Sequence, residues 1–288
     1  MPDHSLNLPD VLIKPLVENA LREDLGDGGD LTSQACIDQT TQMRAVMNAR
    51  KPGYLSGSQL AVCSFAMIDP DIKIEHHKYD GDKLVAGDKV MTISGPARSI
   101  LTAERVALNF MGHLSGIATA TGELVAQTKG TNVKIVCTRK TTPGLRVVEK
   151  YAVRCGGGYN HRFGLYDAVM IKDNHINAAG GISEALKAVK AHVGHTVKIE
   201  IEVDTLEQLG EVLSQGADII LLDNMSPDEL AKAVALNRAQ GESKAILEAS
   251  GNVTAKTVSA IAKSGIDYIS SGWITHSAPV LDLGLDVV

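Results

Sequence analysis

The chain has 288 residues, a formal net charge of −6 and 44% hydrophobic residues, enough to bury a sizeable core as one large domain or as two. That charge balance excludes a general affinity for nucleic acid or anionic membrane, since both need Lys and Arg spread over a face. The opening MPDHSLNLPD carries acids and a proline where a signal peptide needs a basic start and an apolar core, and no later segment stays apolar long enough to span a bilayer, so the expected location is the cytoplasm.

In chain order, the first expected element is a capped amphipathic helix in DVLIKPLVENALRED, followed by the Gly-Asp loop GDGGD. The β-rich segments MRAVMNARKPGYLSG and KLVAGDKVMTISGP come next, bunched with Gly and Pro turns in the manner of an α+β unit that ends near residue 112. TAERVALNFMGHLSGIATATGELVAQTKG then repeats apolar residues at three and four, the mark of a long helix. From Val133 the grammar changes. Short runs (VKIVC, DAVMI, TVKIEIEV, DIILLD, KAILEAS, DYISS) alternate with amphipathic segments such as GISEALKAVKAHV, TLEQLGEVLSQG, SPDELAKAVALNRAQ and TAKTVSAIAKSG. Read as strands that are apolar throughout and separated by helices, they imply a parallel sheet covered by helices, either a barrel or an open doubly wound sheet. Six units fall short of the usual eight. No strand is followed by G-x-G-x-x-G, and G-x-x-x-x-G-K-[ST] is absent, which removes the Rossmann and P-loop phosphate sites.

Enzymes of both architectures place their chemistry at the carboxyl ends of the strands. Here VKIVC ends in Thr138, Arg139 and Lys140, and DAVMI in Lys172, Asp173, Asn174 and His175. TVKIEIEV carries Glu200, Glu202 and Asp204; DIILL ends in Asp223 and Asn224; the last two runs end in SGN and SGW. Cations, acids and two Ser-Gly turns thus share one expected face. The loop RCGGGYNHRFGLYD adds His161 and Arg162, and arginines suit bidentate carboxylate recognition, so the expected substrate is polyanionic. Arg146, Lys150 and Arg154 read instead as the solvated face of the helix LRVVEKYAVR. Glu202 and Asp223 suit Mg²⁺, held directly or through water, or sugar hydroxyls. Glu200 shares their face by the period of two and reads as a site or a supporting residue. Glycosidase-style acid and base work by this pair is the alternative, and four neighbouring cations count against it. Cys36, Cys63, Cys137 and Cys155 lack the close spacing of zinc sites and read as buried free thiols, with a Cys137 nucleophile beside Arg139 as the less favoured reading.

CTRKTTPGLRVVEKYAVRCGGGYNHRFGLYDAVMIKDNH closely resembles the central block of the quinolinate phosphoribosyltransferase family. The likeness extends through EIEVDTLEQL, IILLDNM, EASGN and THSAPVLDLGLD, and back into TAERVALNFMGHLSGIAT, covering most of residues 100 to 288. EDLGDGGDLT matches only in general pattern. The resemblance implies an α/β fold: an N-terminal α/β sandwich domain over residues 1–112, joined by 276–288, and an incomplete parallel α/β barrel of about six β/α units over 113–275. It implies a quinolinate pocket of Arg139, Lys140, His161, Arg162 and Lys172, with Thr138 at its edge and Arg105 supplied by the second subunit of a homodimer; association of dimers into a higher assembly is left open. It further implies ribose and Mg²⁺ contacts from Glu202 and Asp223. Ser250, Gly251, Asn252, Ser271, Gly272, Trp273 and His276 would lie near the phosphates of phosphoribosyl pyrophosphate. Lys140, Lys172, Glu202 and Asp223 carry the implied catalytic roles. Trp273 stands where the family more often has a small residue, so only a backbone contact carries over there. The other readings are a related transferase with another anionic substrate and a non-enzymatic dicarboxylate-binding protein. Retention of all five cations favours quinolinate.

Overall fold

The computed structural model describes residues 7–241 and 244–288; Met1–Leu6, part of the opening read above for a targeting signal, lie outside them. The elements are α1 (Asp10–Leu25), α2 (Leu31–Cys36), β1 (Gln42–Ala49), β2 (Gly53–Tyr54), α3 (Ser58–Ile68), β3 (Lys73–His76), β4 (Lys83–Leu84), β5 (Lys89–Pro96) and the long α4 (Ala97–Gln127). Then follow β6 (Lys134–Val136), α5 (Arg146–Cys155), β7 (Val169–Ile171), α6 (Asp173–Ala179), α7 (Ile182–His192), β8 (Ile199–Val203) and α8 (Leu206–Gln215). The chain closes with β9 (Ile219–Asp223), α9 (Pro227–Arg238), β10 (Ile246–Ser250), α10 (Val258–Lys263), β11 (Tyr268–Ser270), α11 (Trp273–His276) and β12 (Leu283–Val287). Two compact units emerge. The first holds the described residues up to Gly122 together with Thr141–Gly157 and Ile274–Val288; the second holds Glu123–Lys140 and Gly158–Trp273. Among the described residues no helix is long and apolar enough to cross a membrane.

In the first unit an antiparallel sheet of order β12-β1-β5-β3 packs Met47, Met91 and Ile93 against Phe65 of α3 and against Ile100, Ala107 and Met111 of α4, all fully buried. Helix α1 buries Ile13, Val17 and Leu21, spaced by four along one face. Its expected cap is absent: Pro9 occupies the cap position and offers no side-chain acceptor. Asp10 in the first turn, paired with Lys14 at 2.8 Å, supplies the favourable charge at that end instead. The C-terminal segment lies directly on α4, because a Cβ at Gly116 would stand 2.1 Å from the Pro279 carbonyl oxygen. Helix α5 corrects the sequence reading of its charges. Of the three cations read as a solvated face, Lys150 is fully buried and Arg146 and Arg154 are partly so; the neighbouring Glu149 is fully buried as well. Glu149 accounts for its burial by bonding His113 Nε2 at 2.8 Å and the Thr142 N–H at 3.2 Å.

The second unit decides between barrel and open sheet. Its six parallel strands run in the order β6-β11-β10-β9-β8-β7, a cyclic permutation of the chain order with one break between β6 and β7. A doubly wound sheet reverses its order at a switch point; this one never does, so it is a barrel lacking staves. Residues aligned across parallel strands point to the same side, and the register sorts every strand position onto two faces. Outward go Ile135, Ile171, Ile199, Ile201, Val203, Ile220, Leu222, Leu247, Ala249 and Ile269, all buried. Helices α7 to α10 take that face, and each such aliphatic side chain contributes about 1.5–3 kcal/mol by leaving water. Inward go Lys172, Glu200, Glu202, Asp223, Glu248, Ser250 and Ser270, with Leu221, Tyr268 and others between them. The inward face thus mixes charged and polar groups with Val136, Met170, Ile219, Leu221 and Ile246, so β8 and β10 correct the reading of the strands as apolar throughout, while β9 keeps to it up to Asp223.

Candidate active site

The break between β6 and β7 is occupied by the loop that follows α5. Tyr159 pairs with Val136 as a single parallel bridge and bonds Ile135 and Cys137 through its backbone. Asp167 then accepts from the N–H groups of Phe163 (2.6 Å) and Gly164 (3.0 Å), and Arg162 Nη1 donates to the Ala168 carbonyl at 2.9 Å. Burial would raise the Asp167 carboxyl, but those N–H groups and Arg162 outweigh it and hold the group below the usual carboxylate range. Carboxylate and arginine together fix the loop, and with it Arg162.

Burial and the like charge of Arg139 both push Arg162 below the ordinary arginine value, with Glu200 and Asp167 pulling the other way. Arg139 and Arg162 therefore form one positive centre. Thr138 caps the turn beside it by accepting from the Lys140 N–H at 3.0 Å; Lys140 itself is exposed. Cys137 is fully buried with its thiol on Asn160 Oδ1 at 3.3 Å, which makes it a packed core thiol. Of the four cysteines expected to be buried, Cys36 is exposed.

His161 behaves differently from the arginines. Its Nε2 lies 2.9 Å from Glu200 Oε2 and 3.7 Å from Glu248 Oε1, and its Nδ1 accepts the Arg162 N–H at 2.7 Å. Those contacts put an N–H at Nε2, facing the two carboxylates. His161 thus braces the loop against the barrel interior. The potential ligand atoms of His161, Glu200 and Glu248 lie within 4.8 Å of one another. The trio has a simpler occupant than a metal. Burial first and Glu200 second push the Glu248 carboxyl up to about 7, with His161 and Ser270 pulling down. The sequence reading missed Glu248; the period of two in KAILEAS, which aligns it with Ser250, was the available signal. A cavity of about 410 Å³ reaches the trio from the amino ends of the strands, past Lys198, Ile219, Ile246 and Tyr268.

A raised carboxyl favours the fold fully below its unfolded value, here 4.5, and loses that contribution as pH rises through 7. Glu248→Gln is accordingly expected to be near neutral for stability at pH 4.5 and to gain on the wild type by about 2–3 kcal/mol at pH 8. Urea unfolding at the two pH values checks it, and parallel pH curves for the two proteins would sink it.

At the carboxyl ends, Lys172 Nζ and Glu202 Oε2 form a short ion pair, Glu202 being mostly buried and Lys172 exposed. Asp223 ends β9 directly opposite Ser250 of β10. Ser271 is buried and donates its N–H to Val136 across the sheet at 3.0 Å; Gly272 and the 39%-exposed Trp273 follow it. The register therefore brings Lys172, Glu202, Asp223, Ser250, Gly251, Asn252, Ser271 and Gly272 to one rim of one unit. Two expected residues stand in the first unit. Arg105 is exposed on α4, and His276 bonds the neighbouring Ser277 at 2.6 Å.

Residues 30–115 match the family model for the quinolinate phosphoribosyl transferase N-terminal domain and residues 117–286 that for its C-terminal domain. The chain belongs to the quinolinate phosphoribosyltransferase family. It is 45% identical over 275 residues to the probable nicotinate-nucleotide pyrophosphorylase (carboxylating) of Bacillus subtilis, covering 96% of this chain and 93% of that one. The Mycobacterium leprae enzyme of that name is 40% identical over 94% and 95%. The solved nicotinate-nucleotide pyrophosphorylase of Francisella tularensis superposes with a TM-score of 0.92 at 40% identity, covering 98% of both chains, and NadC of Streptococcus pyogenes with 0.93 at 41%, covering 99% and 100%. The sandwich and incomplete barrel expected from the family resemblance are the fold found, and a quinolinate phosphoribosyltransferase fold leaves its strand-end rim and the interior beneath it as the place to look for chemistry.

Proposed function

We infer that the chain transfers the phosphoribosyl group of phosphoribosyl pyrophosphate to quinolinate with loss of carbon dioxide, giving nicotinate mononucleotide and pyrophosphate. The observation that carries this is the sorting of charge within one barrel: a positive centre at Arg139 and Arg162 on the loop side, and acids Glu202 and Asp223 at the rim. A pyridine with two adjacent carboxylates suits the first. A ribose, its hydroxyls and a diphosphate suit the second.

Arg139, Lys140 and Arg162 bind the carboxylates, and the ring nitrogen of quinolinate attacks the anomeric carbon as the bond to pyrophosphate breaks and the diphosphate leaves with the electron pair. The ribose passes through a positively charged transition state, which Glu202 and Asp223 stabilise across the rim. The nitrogen is now quaternary. The adjacent ring carbon releases carbon dioxide, keeps the electron pair against that positive charge, and takes a proton from solvent. Lys172, ion-paired with Glu202, passes to a phosphate or carboxylate oxygen when substrate arrives. Hard carboxylate oxygens at Glu202 and Asp223 fit Mg²⁺ better than does the trio with its imidazole and protonating carboxyl; bound there, the ion would neutralise the departing diphosphate. Ser250 to Asn252 and Gly272 to Trp273 are the backbone segments proposed to lie near phosphate, the Ser271 N–H being already given to the Val136 carbonyl. Incubation with quinolinate, phosphoribosyl pyrophosphate and Mg²⁺ should release carbon dioxide and form nicotinate mononucleotide in equal amounts; pyrophosphate release without carbon dioxide would overturn the assignment.

Arg105 belongs to this reading through a homodimer. The apolar residues around it are spent inside the chain's own core: Val106, Leu108 and Met111 are buried, which leaves the exposed Arg105 as the residue free to serve a second copy. Mixing inactive Arg105→Ala chains with inactive Arg139→Ala chains is then expected to restore activity to about half per mixed dimer, since one of its two sites regains both arginines. No recovery despite demonstrated subunit exchange would remove Arg105 from the partner's site.

A further inference from the structure

Among the described residues the only non-glycine positions with positive φ are Asn224 (φ 54°) and Asn252 (φ 51°). Such backbone is uncommon outside glycine, is tolerated best by Asn and Asp, and gathers at functional sites. These two stand just past the ends of adjacent strands, β9 and β10, and they are tied together. Asn224 extends the ladder by one residue, its N–H bonding the Ser250 carbonyl at 2.9 Å. Its Nδ2 donates to Asp223 Oδ2 at 2.7 Å, and its Oδ1 accepts from Asn252 Nδ2 at 3.4 Å. Between them Gly251 has φ 91°, and a Cβ there would stand 2.0 Å from Asn224 Oδ1. The absent side chain of Gly251 is thus the space that the Asn224 amide fills. Asn252 is anchored in turn by Thr257, whose hydroxyl donates to its carbonyl at 2.8 Å.

We propose that Asn224 is a positioning residue for the phosphoribosyl side of the site, its amide locking the Asp223 carboxylate and the Ser250–Asn252 turn into one fixed arrangement. The proposal rests on the transferase reading above. Asn224 occupies Asp223 Oδ2 and leaves Oδ1 for a sugar hydroxyl or a hydrated cation. A free Asp223 would rotate about its side-chain bonds and meet the ligand in one of several orientations, and the glycine turn beside it would lose the group that fills its concave side. Fixing both before the ligand arrives removes that ordering from the cost of binding.

Two variants separate the amide from the backbone it sits on. Asn224→Gly keeps the positive φ and deletes the amide; Asn224→Asp keeps the size and the Oδ1 acceptor but sets a second carboxylate against Asp223. Each is measured by calorimetric titration with phosphoribosyl pyrophosphate in Mg²⁺, by a separate titration with quinolinate, and by thermal unfolding. Both variants are expected to weaken phosphoribosyl pyrophosphate about tenfold or more, the loss of one hydrogen bond to a charged group, with Asn224→Asp the weaker. Quinolinate affinity should stay within about twofold of the wild type and the melting temperature should not account for the change. Wild-type affinity for phosphoribosyl pyrophosphate in Asn224→Gly, or equal weakening of both ligands, would overturn the proposal. Wild-type turnover is followed alongside: a protein that binds both ligands and forms no product sinks the transferase reading while the difference between variants still decides the role of Asn224.

Discussion

Nicotinate is expected to be turned over with a kcat/KM about a thousandfold below that of quinolinate, or lower. The charge of Arg139, added to burial, depresses the Arg162 guanidinium while Glu200 and Asp167 pull the other way, so the pair favours further anions beside it. Quinolinate supplies two carboxylates on neighbouring ring carbons. Nicotinate supplies one, so a desolvated cation is left without its anion, and that is the arrangement in which discrimination is largest because the unpaired group belongs to the protein. Steady-state kinetics with both acids at saturating phosphoribosyl pyrophosphate measure the ratio; comparable values would mean that the positive centre does not count carboxylates.

The second large effect is a double dissociation. Arg162→Ala and Lys140→Ala should each cost quinolinate binding about a hundredfold while phosphoribosyl pyrophosphate affinity holds, and Glu202→Ala and Asp223→Ala should do the reverse. Arg162 also braces the loop through Ala168, so Lys140, which is exposed, is the cleaner probe on that side. On the acid side Glu202→Ala also releases Lys172 from its ion pair, and a loss larger than that of Asp223→Ala would report the second role. Separate binding titrations with each substrate decide it, and four variants that weaken both substrates alike would erase the division into a pyridine side and a ribose side.

Much of this was legible in the residues. The alternation of short apolar runs with amphipathic helices gives the parallel sheet, because such strands bury one side under helices wherever they occur. The strand-end residues Lys172, Glu202, Asp223 and Ser250 were found because a run that stops at a charged or Ser-Gly turn marks its own carboxyl end. What stayed hidden depends on contacts between distant segments. Lys150 and Glu149 look like solvent-facing charges within LRVVEKYAVR, and only the packing of Thr141–Gly157 into the first unit buries them. Glu248 reads as one acid in an apolar run until register sets it near Glu200 and His161. The bracing contacts of His161 depend on that same meeting. The interlock of Asn224 with Gly251 could not be read from LDNM and ASGN, because a side chain of one strand filling the missing side chain of another has no one-dimensional signature.

The strand orders also set a schedule for the chain as it is made. β1 pairs on one side with β12, Ala45 lying opposite Val287, and β6 pairs with β11, Ile135 lying opposite Ile269. Each unit therefore starts early in the sequence and is closed by its last strands. A ribosome that has released residues 1–260 presents β1 with its outer edge bare and β6 with no strand partner from the parallel sheet, and such open edges invite pairing with other chains. β11 ends at Ser270 and β12 begins at Leu283, so the parallel sheet can close first and the antiparallel sheet last. A stop before Tyr268 would leave both sheets open, whereas a stop between Ser270 and Leu283 would leave every strand of the parallel sheet in hand and β1 alone with a bare edge.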